Sequence, residues 1–182
     1  MDLTFSVHNH LDSNFCNEII QRFEEDINKR PGEAGGKFQP HVKISIDLGI
    51  THDEKWADIV LKLQERLYDG YKQYDGFLKS KFPGYDLSTS INISGYQIQK
   101  SGSYTWHEDS CSDPRKFVRT TTFIWYLNDK PEESGTGFHY RTEKPETGKL
   151  VIFPATWPYI HCGFPAEDKY IITGWTWVKH NE

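Results

Sequence analysis

After Pro83-Gly84 the chain breaks into short β-rich runs separated by turn residues, at about 90–99, 103–109, 117–127, 136–141, 148–153, 158–162 and 169–178. This spacing limits the fold more than any other feature. Runs that short cannot stand alone, so they must close on one another as an all-β sandwich or barrel.

The residues before Pro83 have a different texture. Phe15, Ile19, Phe23 and Ile27 recur every four residues behind the polar Asp12-Ser13-Asn14, which predicts a capped helix over about 14–29. Trp56, Val60, Leu63, Leu67 and Tyr74 outline the apolar face of a second helix over about 53–79. Thr51 and Glu54 form its expected capping box, and Gly70 is its weak point. Between the helices Val42, Ile44, Ile46 and Leu48 alternate with polar neighbours, the pattern of a half-buried strand with its apolar side inward. Three Gly and one Pro within residues 29–37 predict a mobile surface connection, with a lid over a site as the other reading. The expected architecture is a single, mainly β domain over residues 1–182. Residues 1–88 form a helical buttress with an added strand, and residues 89–180 form the barrel core.

A chain of 182 residues can bury roughly 70% of its unfolded surface, so neither a disulfide nor a metal is needed merely for folding. The formal net charge of −5 and the absence of a Lys/Arg-rich stretch disfavour nucleic acid as a partner. Cys16, Cys111 and Cys162 are odd in number and dispersed, which argues against a disulfide framework and for a reducing compartment. No apolar run approaches the length of a membrane span, and the N-terminus has neither a basic start nor an apolar core. A soluble, cytoplasmic protein is expected.

Chemistry concentrates in Tyr104-Thr105-Trp106-His107-Glu108-Asp109. On an extended backbone His107 and Asp109 share one face, so an imidazole and a carboxylate can converge on one ion. That donor pair suits iron(II) or manganese, and a second His from elsewhere would complete a facial triad. Alone, H-x-D is as readily a surface turn or a hydrogen-bonded strand end. Zinc held by His107, Cys111, His161 and Cys162 is a rival, opposed by the opposite strand faces of the adjacent His161 and Cys162.

Farther along, Phe153-Pro154 precedes His161-Cys162-Gly163-Phe164-Pro165, and Lys169 follows. Arg119-Thr120-Thr121-Thr122-Phe123-Ile124-Trp125-Tyr126-Leu127-Asn128 lies between this segment and H-x-D. The ordered set H-x-D, R-x-x-T-x-x-x-Y-L-N, F-P and H-x-G-x-P with a later Lys resembles the prolyl 4-hydroxylase-like branch of the 2-oxoglutarate/iron(II) dioxygenases. The likeness covers about residues 88–178. It implies a double-stranded β-helix, a jelly-roll or cupin-like barrel, with His107, Asp109 and His161 as iron ligands. It also implies that Lys169 meets the distal carboxylate of 2-oxoglutarate and that Thr122 donates to the same co-substrate. Read from the residues alone, Lys169 is as well an exposed lysine after Glu167-Asp168. Strand parity then places Thr173 and Trp175 beside Lys169, where they line the co-substrate pocket or serve as core packing.

The chain departs from the branch's pattern at three places. The Tyr that usually precedes the H-x-D segment is replaced by Gln99 or Lys100, so its contact is either lost or supplied by Tyr96 or Gln99. Glu133-Ser134-Gly135-Thr136-Gly137-Phe138 keeps only the Thr and Phe of the usual G-G-E-T-x-F run, and the turn from His161 to Lys169 is tighter than usual. Tyr140 and Arg141 are candidate substrate contacts, and His139 is the one remaining histidine near the expected mouth.

The resemblance implies hydroxylation of prolyl residues in a peptide or protein, with iron(II), 2-oxoglutarate and dioxygen, and ascorbate as a candidate reductant. Hydroxylation of another residue or of a small molecule is a second reading. A non-catalytic metal-binding sensor barrel is a third, from a different class. A nucleic-acid demethylase is disfavoured, because such enzymes usually bind the co-substrate through Arg where this chain has Lys169.

Overall fold

The computed structural model describes residues 2–84, 92–93, 95–111 and 117–179. The expected division at 88–89 and the expected strand start at 90–91 lie outside the described residues.

Strands β1 (Phe5–Val7), β2 (Arg30–Pro31), β3 (Lys43–Gly49), β4 (Asn92–Ile93), β5 (Gln97–His107), β6 (Phe117–Tyr126), β7 (Thr136–Phe138), β8 (Arg141–Glu143), β9 (Leu150–Pro154), β10 (His161–Gly163) and β11 (Tyr170–Lys179) are joined antiparallel in the order β1-β9-β6-β11-β5-β10-β7-β8. β3 lies on the other edge of β5, carrying β2 beyond it, and β4 pairs with β11. β5 is the hinge of the sheet. Its first residues pair with β11 and its last with β10, so the sheet curls there into two facing layers, the double-stranded β-helix that the resemblance implies.

Period-two alternation divides the core in two. Phe123 and Trp125 of β6, Leu150 and Ile152 of β9, and Tyr170 and Ile172 of β11 face helices α1 (Ser13–Glu25) and α2 (Ala57–Lys81). Ile124 and Tyr126 of β6 and Val151 and Phe153 of β9 face the opposite way, into the barrel. Each fully buried Phe, Leu, Ile or Val is worth about 1.5–3 kcal/mol. The helices supply Phe15, Ile19, Phe23, Ile59, Leu63, Leu67 and Tyr74 to the first cluster, so this cluster holds the buttress on.

Helix ends differ from the periodic reading. The Asp12 carboxylate caps α1 by accepting the Phe15 N–H at 2.9 Å, but α1 stops at Glu25 and leaves Ile27 90% exposed. Asp26 turns away to accept the Trp56 indole N–H at 2.9 Å, and Lys29 Nζ donates to the Phe23 and Glu24 carbonyls at 2.7 and 2.6 Å. These bonds satisfy the terminal carbonyls that another turn would have used. The Thr51–Glu54 capping box does not form. Thr51 Oγ1 accepts the Tyr96 N–H, and Asp53 caps a short 3-10 turn over Glu54–Trp56 instead. Gly70 marks a close approach, since a Cβ there would lie 2.4 Å from Leu150 Cδ2.

The largest departure is in β3, which is inverted over residues 43–47 while Leu48 is buried as expected. Lys43, Ser45 and Asp47 are buried, whereas Ile44 and Ile46 are 59% and 43% exposed. β3 presents its polar side to the barrel mouth, and the register with β5, Ile44 against Ser103 and Ile46 against Lys100, holds the two Ile outward. The segment at 29–37, expected to be mobile, is instead tied down: Gly32 and Ala34 are buried, and Ala34 and Lys37 exchange backbone hydrogen bonds. Among the described residues no helix is long and apolar enough to cross a membrane.

Candidate metal centre

His107 at the end of β5 stands directly opposite His161 at the start of β10, with ring centroids 4.3 Å apart. Asp109 follows β5 by two residues and is fixed by its N–H to the Ala155 carbonyl at 3.0 Å. One donor atom from each of the three lies within 4.8 Å of the others. His107 Nε2 is 3.7 Å from Asp109 Oδ1, and His161 Nε2 is 3.5 Å from Asp109 Oδ2.

Each imidazole is held from behind. His107 Nδ1 is 2.7 Å from the Thr105 carbonyl and His161 Nδ1 is 3.1 Å from the Tyr159 carbonyl. A carbonyl only accepts, so the proton sits on Nδ1 and the Nε2 lone pair faces the carboxylate. Burial, followed by the neighbouring His161, lowers His107 to about 4, which keeps its ring neutral at physiological pH. The Thr122 hydroxyl donates to Asp109 Oδ2 at 2.7 Å and orients the third donor. Two imidazoles and one carboxylate on one side of a cavity match the donor set of non-haem iron(II). Among the described residues no cysteine joins the group, which removes the zinc alternative.

The donors border a pocket of about 70 Å³ together with Ile124, Thr136, Ile171 and Thr173. Gln99, Tyr104, Asp109 and Trp175 border both this pocket and a wider cleft of about 720 Å³. Lys169 immediately precedes β11, two residues before the pocket-lining Ile171; it does not itself border the pocket and is only 4% exposed. Its ammonium donates to the Ser134 carbonyl at 2.8 Å and to the Phe164 carbonyl. Among the described residues no carboxylate pairs with it. Burial lowers its pKa from 10.5 to about 8, a cost of roughly 3 kcal/mol for carrying the charge. A buried cation held only by carbonyl dipoles is a ready partner for an anion.

Gln99, Thr173 and Trp175 all line the pocket. The Thr173 hydroxyl donates to the Phe123 carbonyl at 3.2 Å, and the Gln99 amide donates to Gln97 Oε1 at 3.0 Å. Thr122 also lines it, with its hydroxyl on Asp109. Tyr140 and Arg141 border neither cavity. Tyr140 donates to Asp2 Oδ1 at 2.8 Å, and Arg141 pairs with Asp2 and Glu143, so both side chains anchor the N-terminal segment. His139 stacks on the exposed Trp106 at 5.1 Å and likewise borders neither cavity.

Three residues escaped the sequence reading. Tyr104 stacks face to face on His107 at 3.6 Å. Arg119 lies over Trp175 and Trp177 at 3.9 and 5.0 Å and borders the wide cleft. Tyr126, fully buried, donates to Thr136 Oγ1 at 2.6 Å at the inner end of the same strand face as Thr122 and Ile124. Strand parity from Thr122 was the available signal for Tyr126.

Residues 91–177 match the family model described as the 2OG-Fe(II) oxygenase superfamily. Over this region, just under half of the chain, the sequence is similar to the 2-oxoglutarate/iron(II) oxygenase superfamily. The chain is similar in fold to a viral collagen prolyl hydroxylase from Paramecium bursaria Chlorella virus-1, solved as its 2OG complex: TM-score 0.69, 19% identity, 97% of this chain and 96% of that one covered. A prolyl hydroxylase from Trichoplax adhaerens, solved with a hypoxia inducible factor peptide fragment, gives a TM-score of 0.71 at 17% identity over 97% and 84%. A Pseudomonas putida prolyl-4-hydroxylase gives 0.68 at 16% over 100% and 95%. No curated protein matches the chain in sequence.

Proposed function

We propose that this protein is a 2-oxoglutarate/iron(II) oxygenase that hydroxylates prolyl residues in a peptide or protein. The observation that carries the reading is the meeting of two spaces at the donor triad: a narrow pocket beside a buried, unneutralised ammonium, and an open groove. The pocket side suits a short dicarboxylate. The groove, at about 720 Å³ against about 70 Å³ for the pocket, suits a polymer better than a small molecule.

Held by His107, Asp109 and His161, iron(II) supplies the activation of dioxygen that couples decarboxylation of 2-oxoglutarate to hydroxylation of a C–H bond. Lys169 takes the distal carboxylate of 2-oxoglutarate, which gives its buried charge the partner it lacks. Thr122 keeps Asp109 turned toward the two Nε2 atoms. Tyr104 and Trp175 offer aromatic walls to a pyrrolidine ring, and Arg119, flat on Trp175, offers N–H donors to a peptide carbonyl. Ile124, Phe138 and Phe153 exclude water behind the triad. The peptide named in the Trichoplax structure supports the polymer reading by likeness of fold. The chain acts as one catalytic domain, and three free cysteines fit a reducing, cytoplasmic setting.

Two measurements test this. Anaerobic protein with iron(II) and 2-oxoglutarate should develop a weak visible charge-transfer band; a flat spectrum with both saturating rejects the metal and co-substrate assignment. Oligoproline and proline-containing peptides, incubated with ascorbate as reductant, should gain single oxygens by mass spectrometry. Oxygen appearing only in proline-free substrates rejects the prolyl part.

A further inference from the structure

We infer that Lys43, Ser45 and Asp47 form a buried latch whose task is to hold the turn at residues 32–39 as one wall of the substrate groove. The starting point is the inversion of β3. The strand has Ile44 and Ile46 available for burial, yet it buries an ammonium, a hydroxyl and a carboxylate at 4%, 8% and 1% exposure. A buried ion pair recovers its desolvation cost only with close geometry, and its best-attested return is a specified arrangement, not net stability. Here the geometry is close: Lys43 Nζ donates to Asp47 Oδ2 at 2.6 Å, and Ser45 Oγ donates to Asp47 Oδ1 at 2.7 Å.

What the triad arranges is visible at Gly32. Its N–H donates to the Ser45 carbonyl at 2.9 Å, and a Cβ at this position would lie 2.1 Å from Ser45 Oγ, 2.9 Å from Asp47 Oδ2 and 3.1 Å from Lys43 Cε. The turn therefore rests directly on the triad, with glycine allowing the contact. From there the chain closes a hairpin through Ala34 and Lys37, and Gln39 Nε2 ties it back to the Ala34 carbonyl at 3.0 Å. Its tip, Gly35 and Gly36, has positive φ and open space where side chains would be, so bare backbone faces outward. Glu33, Gly35 and Gly36 border the groove opposite Tyr104, Asp109 and Arg119. Lys43 also borders the groove, with its Nζ 5.8 Å from the ring of Tyr104, the residue stacked on His107. One rigid unit thus sets the distance between the far wall and the reacting position.

Lys43, Ser45 and Asp47 are positioning residues in this view, and the inference rests on the groove being where peptide binds. Gly32→Ala is the direct test, because it pushes the turn off the triad and leaves every charge in place. Hydrogen exchange should show the Gly32, Ala34 and Lys37 positions in the variant losing protection by tenfold or more, while β6 and β11 keep theirs. With an oligoproline peptide as probe, KM for peptide should rise at least tenfold, with kcat and the KM for 2-oxoglutarate within twofold of the parent. Ser45→Ala, which removes the hydroxyl bond to Asp47 Oδ1 and leaves Gly32 in place, should loosen the same turn and raise the same peptide KM. A general loss of stability would move all three kinetic constants. Protection that survives Gly32→Ala overturns the latch, as does an unmoved peptide KM. The exchange measurement needs no turnover, so it separates failure of the latch from failure of the prolyl assignment.

Discussion

Lys169 is where charge, burial and proposed function meet in one side chain. Its pKa of about 8, set by burial, means that apo protein above pH 8 carries it largely neutral. The unfolded chain holds that proton up to about pH 10.4, so between the two values the unfolded state binds more protons than the folded one. Lys169 therefore costs stability below pH 8, and that cost is relieved as pH rises toward 10.4. Subtracting the urea-unfolding curves of Lys169→Met from those of the parent should expose this slope; a parent-minus-variant difference flat from pH 7.5 to 10 refutes it. A dianion beside the ammonium reverses the preference. Thermal shift should show 2-oxoglutarate stabilising the parent and leaving Lys169→Met unmoved, while both still respond to the metal. Thr122 makes a separable prediction. Thr122→Val removes the hydrogen bond to Asp109 Oδ2 and should weaken iron(II) affinity by about 10–100-fold, the usual cost of losing a contact that orients a ligand. Unchanged metal affinity would place the Thr122 hydroxyl elsewhere in the reaction.

Among the elements, Gly70 shows how a local rule can be right about propensity and silent about purpose. Glycine in the middle of α2 costs about 1 kcal/mol against Ala in an exposed helix. Here a Cβ would meet Leu150 Cδ2 at 2.4 Å, so Gly70→Ala should destabilise by about 1–3 kcal/mol in chemical denaturation through overpacking. Leu150→Val beside it should recover part of that loss, and a stabilised single variant would show that the helix simply shifts. The same contrast explains which parts of the fold were legible. The β-rich runs after Pro83 and the stripe from Trp56 to Tyr74 were readable because burial there follows period 2 or period 3.6 against an apolar partner. β3 was misread over residues 43–47 because its buried side there packs under the turn at Gly32 and not against the apolar core, and alternation cannot tell which side is which. The end of α1 was misread because Lys29 and Asp26 close it with side-chain bonds that carry no periodic signal. The convergence of His107, Asp109 and His161 was legible through ordered motifs, whereas the placing of Tyr104 and Arg119 depends on aromatic stacking across strands. Tyr140 and Arg141 were drawn away from the mouth by Asp2, more than a hundred residues distant in sequence.

At the scale of the molecule, structure and site are supported by different halves of the chain. The cluster that joins α1 and α2 to β6, β9 and β11 contains none of the three metal donors, while the donors sit where β5 and β10 meet at the opposite face. Metal binding should therefore add to folding stability without being a condition of it, unlike the small domains that unfold when their metal is removed. A ligand present at a hundred times its Kd stabilises the folded state by about 2.7 kcal/mol. For a domain of this size each kcal/mol moves Tm by about 2–4 °C, so iron(II) under anaerobic conditions should raise Tm by roughly 5–11 °C. 2-Oxoglutarate added at the same excess should contribute a further increment. Chelation with EDTA should return the protein to a single lower transition with its near-ultraviolet circular dichroism intact. Loss of that signal on chelation would mean that the triad also holds the two layers together, and that the helical buttress cannot sustain the barrel alone.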